Sequence, residues 1–231
     1  MRWDANAMVD VKRNTIVVYS DIGCPWAHLC VWRLHRARSQ AELEGRVVLD
    51  HRAFPLEIFN EQPTPKKTLD AEISVAGALD PDARWQMWQR PEHEYPVTTL
   101  PALEAVQAAK EQSLEASEEL DRALRVALFA ESRTISMRHE ILEVAKGCGR
   151  VDVALLEEAI DEGRARSSVM EQQEEGETDA VKGSPHVFLP DGSDVHNPGI
   201  DMEWHGEHGE GFPIVKSDDP SVYSQILGRA V

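Results

Sequence analysis

The stretch TIVVYSDIGCPW, residues 15–26, constrains the fold of this 231-residue chain more than any other part of the sequence. Thr15 to Tyr19 is a run of β-branched and aromatic residues with little polar interruption, which predicts a central β-strand. The segment 28–43 reads as a helix, and Pro25 fits the first turn of that helix, where a missing N–H costs nothing. The sequence therefore predicts a strand, a turn that carries Cys24, and a helix.

The rest of the chain predicts a second strand, a long helical stretch, and a return to strands. The second strand covers 46–56, and Pro55 ends it. A hairpin covers 184–199 around the turn PDGS, and a terminal helix covers 220–230 after a loop rich in glycine and histidine. The helices expected between the strands are 66–78, 81–89, 99–112, 114–131, 136–147 and 152–174, the last with a break near Gly163.

These elements predict an α/β fold that is interrupted by a mostly helical insertion domain. Residues 1–56 and 176–231 form the α/β part, and residues 57–175 form the insertion. Within the insertion, one group of apolar residues recurs at helical spacing and is expected to face the core. Its members are Leu120, Leu124, Ala127 and Leu128.

The charge and composition exclude several classes of function. The formal net charge is -17, which argues against a nucleic-acid partner. No apolar run approaches the roughly 20 residues of a membrane helix, so no membrane partner is expected. The first residues contain no apolar segment of a secretory signal, and three cysteines do not form a disulfide framework. We therefore expect a cytoplasmic protein, with the dense acidic patch at 170–179 acting as a solvated helix end.

Cys24 is the main candidate for chemistry. A cysteine at the start of a helix faces unpaired backbone N–H groups and the positive end of the helix dipole, and both favour the thiolate. We therefore expect a lowered pKa and a reactive thiol. A dithiol motif would read C-x-x-C, but the fourth position here is Ala27.

Neither of the other cysteines is expected to replace the missing thiol. On one continuous helix, the six residues from Cys24 to Cys30 correspond to roughly 9 Å of rise and about 600° of rotation. Disulfide Cα–Cα distances rarely exceed about 7 Å. Cys30 is therefore expected to be a core thiol, and Cys148 a structural one.

The combination of motifs resembles the DsbA-like branch of the thioredoxin superfamily, and in particular its FrnE-like subgroup. The strand, CPW and helix resemble the active-site turn of that superfamily. The helical block of about 120 residues resembles the DsbA insertion, and GSP at 183–185 resembles the cis-proline loop. The motifs HNPG (196–199) and GEGFP (209–213) are similar to those of FrnE-like members. The resemblance covers nearly the whole chain and implies a thioredoxin-like fold.

The resemblance also implies roles for individual residues. Cys24 matches the attacking cysteine, followed by Pro25 and Trp26 of the motif. Pro185 matches the cis-proline beside it, and Ser184 matches the residue whose backbone pairs with an extended substrate or a thiol cofactor.

Two further side chains are candidates from their position next to Cys24. Trp26 is expected to be partly exposed and to offer an apolar contact to a substrate. His28 follows Cys24 by four residues and is a candidate for a thiol-binding groove together with Ser184 and Pro185, as a base or as a partner of the thiolate.

Three functions remain open from the sequence. The first is a DsbA-like thiol–disulfide oxidoreductase with a single active-site cysteine that forms mixed disulfides with a small thiol or a protein thiol. The second follows kappa-class glutathione transferases and 2-hydroxychromene-2-carboxylate isomerases, which have a serine where this chain has Cys24. There the residue would activate a bound thiol cofactor. The third is a non-catalytic protein that binds through the thioredoxin-like groove.

The expected ligands follow from these functions. No tightly bound cofactor is expected, and glutathione or another low-molecular-weight thiol is the expected partner. A homodimer is compatible with such folds. No metal site is expected, because the glycines around His205 and His208 favour a loop over a helix that could share a metal.

Overall fold

The structure is a computed structural model that describes residues 9–207 and 210–231. Its larger sheet has the strand order β2-β1-β3-β4. The strands are β1 (Thr15–Ser20), β2 (Val48–Ala53), β3 (His186–Phe188) and β4 (Asp194–His196). β1 pairs in parallel with β2 and antiparallel with β3, which in turn pairs antiparallel with β4. All six residues of β1 are buried, as its uninterrupted apolar sequence predicted for a central strand.

Two helices cover one face of this sheet. They are α1 (Pro25–Gln40), which connects β1 to β2, and the terminal helix α9 (Val222–Ala230). Ile16 and Val18 of β1 pack with Leu34 of α1 and Leu227 of α9. The alternate residues of β1 point to the other face, where Tyr19 packs with Phe188. Successive side chains of β1 therefore point alternately into two separate hydrophobic cores, one on each face of the sheet.

The chain between β2 and β3 is mostly helical, as predicted. Its helices are α2 (Leu56–Phe59), α3 (Lys66–Leu79), α4 (Leu100–Ala109), α5 (Leu114–Glu131), α6 (Arg138–Ala145), α7 (Val153–Asp161) and α8 (Arg166–Gly176). The predicted core stripe of α5 is confirmed, since all four of its members are buried in the core of this helical block. The expected break near Gly163 is also confirmed, because it lies between α7 and α8 with a positive φ of 63°. None of the helices in the described ranges has both the length and the apolar character that crossing a bilayer requires.

The helix predicted over 81–89 is wrong. Only Pro81–Ala83 forms a short 3-10 turn, and Arg84 then adopts a left-handed conformation with φ 61°. The backbone N–H of Gln86 donates to the carbonyl of Phe129 at 2.8 Å rather than to its own segment. The indole of Trp85 packs against the ring of Phe129. Packing against α5 therefore replaces the helix that the local sequence favours.

The expected glycine- and histidine-rich loop is mostly a second sheet. β5 (Ile200–His205) and β6 (Phe212–Asp218) form an antiparallel hairpin, with an irregularity between Asp201 and Met202. β6 contacts α3 of the helical block. The hairpin therefore lies between the two parts of the chain rather than projecting from it. His208 and Gly209 lie outside the described residues.

A buried arginine joins the helical block to the sheet. The side chain of Arg125 on α5 is 1% exposed and donates from Nε to Asp121 at 2.7 Å. It also donates to the hydroxyl of Ser20 at 2.7 Å and to the carbonyl of Asp21 at 2.9 Å. Ser20 is the last residue of β1, so Arg125 holds the end of the central strand to the helical block.

Removing the Arg125 guanidinium should strongly destabilise the fold. Arg125→Met leaves Asp121 as a buried charge without its partner, and losing one partner of a buried ion pair costs about 3–5 kcal/mol. Urea denaturation measures the free energy of unfolding. Arg122→Met on the exposed side of the same helix is the matched control and should change it by less than about 1 kcal/mol. Equal effects of the two substitutions would contradict this role for Arg125.

Candidate functional site

The turn between β1 and α1 is held by hydrogen bonds to Asp21. The Asp21 carboxylate accepts from the backbone N–H of Gly23 at 2.7 Å and of Leu56 at 2.8 Å, and from the hydroxyl of Thr99 at 3.1 Å. Burial raises the pKa of this carboxyl above its ordinary value. A Cβ at Gly23 would lie 2.9 Å from the Thr99 methyl carbon, so a larger residue does not fit there. These contacts fix the position of the next residue, Cys24.

Cys24 lies directly beside the residues that the sequence places with it. Its Sγ donates to the backbone carbonyl of Ser184 at 3.3 Å. The Ser184 hydroxyl accepts from the backbone N–H of Asp21 at 2.9 Å, so Ser184 contacts the turn from two sides. The peptide bond between Ser184 and Pro185 is cis. β1 and β3 are adjacent strands in which Tyr19 pairs with His186, and this pairing brings residues about 160 positions apart into contact.

The residue before Ser184 also requires a particular backbone. Gly183 has a φ of +152°, and a Cβ at this position would lie 2.9 Å from Nε2 of His196. Glycine meets both demands, since it has no side chain and adopts positive φ freely. The motif GSP is therefore shaped by the packing of β4 behind it as well as by the site in front.

A layer of apolar side chains covers Cys24. The thiol side chain is only 5% exposed and belongs to a cluster with the first turns of α1. Val75 and Leu79 of α3 pack against this cluster from one side. Ile200, Met202 and Val215 of the β5–β6 hairpin pack against it as well. The thiol is therefore enclosed between the helical block and the hairpin.

The structure corrects the expected direction of the Cys24 pKa. Cys24 is the N-cap residue of α1, as predicted. Burial nevertheless raises the pKa of Cys24 to about 12, and the nearby negative charge of Glu72 acts in the same direction. The hydrogen bonds that involve Ser184 and the backbone N–H of Ala27 lower this pKa by less. In the covered conformation the thiol is therefore protonated at neutral pH.

Trp26 and Glu72 form a polar contact within the layer of apolar side chains that covers Cys24. Trp26 was expected to be partly exposed, but its side chain is 4% exposed and its Nε1 donates to a Glu72 oxygen at 2.9 Å. Burial raises the pKa of Glu72 to about 7. Glu72 was not found from the sequence, because it lies 46 residues from Trp26 on a helix with several other charges. Its titration near neutral pH makes it the acidic group that can change the charge beside Cys24.

The structure also corrects the expectation for His28. Its ring is buried between Trp85 and Phe129, with centroid distances of 4.6 and 4.8 Å. Nε2 lies 2.9 Å from the carbonyl oxygen of Ala83, and burial lowers the pKa of His28 to about 4. The imidazole is neutral and packs into the helical block, so it is not placed to pair with a thiolate or to line a groove.

The three cysteines are unpaired and belong to different parts of the core. Cys30 packs under α9 in the cluster beneath the sheet, and burial raises its pKa to about 12. Cys148 is part of the helical core, where its Sγ lies 3.8 Å from the carbonyl of Val144. Cys24 belongs to neither cluster. The fourth position of the motif, Ala27, is fully buried against Cys24.

The candidate metal ligands do not form a site in the described part of the chain. His205 ends β5, where its ring lies 5.4 Å from that of Phe212. The other histidine of that segment, His208, lies outside the described residues. Among residues 9–207 and 210–231, no group of three or more histidine, cysteine, aspartate or glutamate side chains is arranged to hold a metal ion.

Comparisons with known proteins agree with the fold described above. The model of the DSBA-like thioredoxin domain matches residues 15–207. No curated protein matches the sequence. Among solved structures, the fold is similar to that of a probable DsbA oxidoreductase from Streptomyces coelicolor, with a TM-score of 0.66 and 19% identity, covering 94% of this chain and 89% of that chain.

Two further solved structures share the fold and differ in chemistry. The cytosolic disulfide reductase DsbM from Pseudomonas aeruginosa, solved with GSH, has a TM-score of 0.57 and 17% identity. A 2-hydroxychromene-2-carboxylate isomerase has a TM-score of 0.54 and 16% identity. Each comparison covers 79% of this chain and 89% of the other.

Neutralising Glu72 should make Cys24 more reactive at high pH. Glu72→Gln removes the negative charge that raises the pKa of Cys24, while the amide oxygen can still accept from Trp26. Above pH 7, iodoacetamide should label Cys24 about three to ten times faster in the variant than in the wild type. This corresponds to a Cys24 pKa that is lower by about half to one unit. Below pH 6 the difference should vanish, because Glu72 is then protonated in the wild type. Peptide mapping assigns the label, and Glu158→Gln on exposed α7 is the control.

Loosening the hairpin should expose Cys24. Val215→Ser removes an apolar contact with the Cys24 cluster, whereas Ile214→Ser changes the outward face of the same strand. The Val215→Ser substitution should remove about 1–2 kcal/mol of apolar burial. The fraction of molecules in which the hairpin has moved away from Cys24 should then rise about tenfold, and the labelling rate of Cys24 should rise with it. Native-state labelling followed by peptide mapping measures this rate. If the two serine variants label equally, the hairpin does not control access.

Proposed function

Since the chain belongs to the DSBA-like thioredoxin domain family, we propose that it is a FrnE-like thiol–disulfide oxidoreductase that works through Cys24 alone. The observation that carries this proposal is the contact of the Cys24 thiol with the Ser184 carbonyl, beside the cis bond to Pro185. Pro25 sets the start of α1 behind the thiol. Ala27 occupies the place where a second motif thiol would stand, so the first disulfide that Cys24 forms has no neighbour to close it.

The proposed reaction is an exchange between Cys24 and a disulfide of a small thiol. The Cys24 sulfur attacks one sulfur of the oxidised thiol, a mixed disulfide forms, and the original S–S bond breaks. The departing sulfur leaves as a thiolate and takes up the proton that Cys24 has lost. A second thiol molecule attacks the mixed disulfide, regenerates Cys24 and leaves in a new disulfide. When the departing and the entering thiol differ, one cycle reduces the departing thiol and oxidises the entering one, so both redox partners come from outside the chain.

The covered state of Cys24 sets a condition on this reaction. A thiol with a pKa near 12 is almost entirely protonated at neutral pH, and only the thiolate is strongly nucleophilic. When the hairpin moves away, the desolvation that raises the pKa decreases, and the start of α1 then favours the thiolate. We therefore propose that the thiol reacts from an open state and is protected in the covered one.

The Ser184 carbonyl and a structural neighbour support a substrate class. The Ser184 carbonyl already accepts from Cys24, so an incoming peptide-like thiol would bond to this segment once the contact is released. A related fold was solved with GSH, which supports glutathione or a similar low-molecular-weight thiol as the partner. Such a thiol is abundant in the cytoplasm, which is the compartment we propose.

One observation favours a second function. The Cys24 S–H donates a hydrogen bond in the resting state, as a serine hydroxyl would. A thiol-cofactor-dependent isomerase or transferase needs such a donor to stabilise the thiolate of a bound cofactor, and an isomerase shares the fold. In that function Cys24 would orient the cofactor thiol and never form a covalent bond.

Intact-mass spectrometry after incubation with oxidised glutathione separates these functions. For the oxidoreductase we expect one glutathione adduct on Cys24, removed by reduced glutathione and absent from Cys24→Ser. Cys30→Ser and Cys148→Ser are the matched controls, and both should keep the adduct. Saturable binding of reduced glutathione without any adduct would instead support the isomerase or transferase. Neither an adduct nor binding would contradict both functions.

A further inference from the structure

A cavity lies at the far end of α1 from Cys24. It has a volume of about 840 Å³ and is bordered by the last turns of α1, the loop before β2, the start of β1 and the first half of α5. From Cys24 to Arg38 the helix rises about 21 Å. This cavity is therefore separate from the thiol site, and the proposed function does not involve it.

The lining of the cavity is rich in arginine, although the protein as a whole is strongly acidic. The chain has a formal net charge of -17. Six arginines nevertheless line this one cavity, and only four glutamates accompany them. The arginines are Arg13, Arg36, Arg38, Arg46, Arg122 and Arg150.

Most of the positive charge at the rim is not neutralised by the protein. Arg36 is paired with Asp80, and Arg38 is paired with Glu118. The remaining four arginines make no ion pair with any residue in the described ranges. Arg122 instead lies over the ring of Trp32, 5.6 Å from its centroid.

The glutamates of the cavity offset part of this charge, but not all of it. Glu118 accepts from Arg38 and from the backbone N–H of Leu49. Glu119 accepts from the backbone N–H groups of Gly149 and Arg150. Backbone hydrogen bonds leave the charge of Glu119 in place, so three glutamate charges stand against the four arginines that form no ion pair in the described ranges. The rim is therefore positive at neutral pH.

The wall of the cavity contains buried hydrogen-bond donors without acceptors. The His35 side chain is 8% exposed, and its Nδ1 lies 3.1 Å from a guanidinium nitrogen of Arg38. A guanidinium offers no acceptor, so Nδ1 accepts. Burial lowers the pKa of His35 well below its usual range, which leaves the ring neutral with its proton on Nε2. Within residues 9–207 and 210–231, that N–H has no hydrogen-bond partner.

Two other buried donors share this property. Nε1 of Trp32 and Nε of Arg38 carry protons and accept nothing, and neither has a hydrogen-bond partner among the described residues. Both side chains, like that of His35, line the cavity. Buried polar groups in folded proteins are normally hydrogen-bonded. These three donor atoms are shielded from solvent just behind the cavity wall, and the described part of the chain supplies no acceptor for them, so a bound anion would reach them after a small side-chain movement.

We propose that this cavity binds a small anion with several phosphate groups. Arginine matches phosphate in geometry and charge, because its planar N–H groups form paired hydrogen bonds with two phosphate oxygens. Four unpaired arginines suit a ligand with several negative charges better than a single carboxylate. The volume accommodates a di- or triphosphate. Because Arg122 already covers the Trp32 ring, that ring is not free to stack on a nucleobase, and we expect the site to recognise the phosphate groups alone.

Isothermal titration calorimetry with inorganic triphosphate tests this proposal on the full-length chain. We expect one saturable site whose affinity falls as salt is raised. Arg46→Gln and Arg122→Gln should each weaken binding about tenfold, the effect of one lost charge-assisted hydrogen bond. Both side chains are exposed, so the variants are expected to fold. Arg84→Gln makes the same charge change outside the cavity and should bind like the wild type.

Two further variants distinguish a specific triphosphate site from non-specific attraction of the anion to exposed arginines. Trp32→Phe keeps the ring and removes only the Nε1 donor, and it should weaken binding several-fold. Cys24→Ser should leave binding unchanged, because Cys24 is about 21 Å away along α1. The proposal is overturned if triphosphate shows no saturable binding, if Arg84→Gln weakens it as much as Arg46→Gln, or if Trp32→Phe binds as tightly as the wild type.

Discussion

The buried contact of Arg125 with Asp121, Ser20 and Asp21 is the interaction on which the thiol site depends. Its guanidinium belongs to α5, but two of its three partners form the end of β1 and the start of the turn. The Asp21 carboxylate then holds Gly23, which precedes Cys24. A charge this deeply buried needs an opposite charge and further hydrogen bonds, and Arg125 forms four, so the geometry permits little movement. The helical block therefore positions the thiol from beneath as well as covering it.

Burial and the start of a helix act on Cys24 in opposite directions, and their sizes decide the outcome. The positive end of a helix is worth about 0.3–1 kcal/mol to a nearby anion, less than one pKa unit. The increase in the Cys24 pKa from 9.0 to about 12 corresponds to about 4 kcal/mol against the thiolate. Burial therefore prevails while the cover is closed. The reactivity of Cys24 therefore depends more on the side chains that bury it than on its position at the start of a helix.

The sequence predicted the central strand, the helix after Cys24 and the interrupted α/β fold, because each has strong local periodicity. It predicted the approach of Ser184 to Cys24 only through resemblance, since this contact depends on strand pairing. The β5–β6 hairpin was missed because its strands are rich in polar residues and adjoin glycines that favour a loop. Glu72 could not be found, because its raised pKa arises from tertiary burial beside Trp26 and has no local signal. Burial of His28 was unpredictable for the same reason.

The separation of the three cysteines limits what Cys24 can do without another molecule. Cys30 faces the opposite core, between the sheet and α9, although it lies on the same helix. Cys148 is enclosed by the helical block and hydrogen-bonds within its own turn. Forming a disulfide from Cys24 to either would require α1 to unwind or two hydrophobic cores to separate, and both motions cost far more than a local opening of the hairpin. The proposed single-cysteine reaction therefore requires a thiol that enters from solution to resolve the mixed disulfide on Cys24.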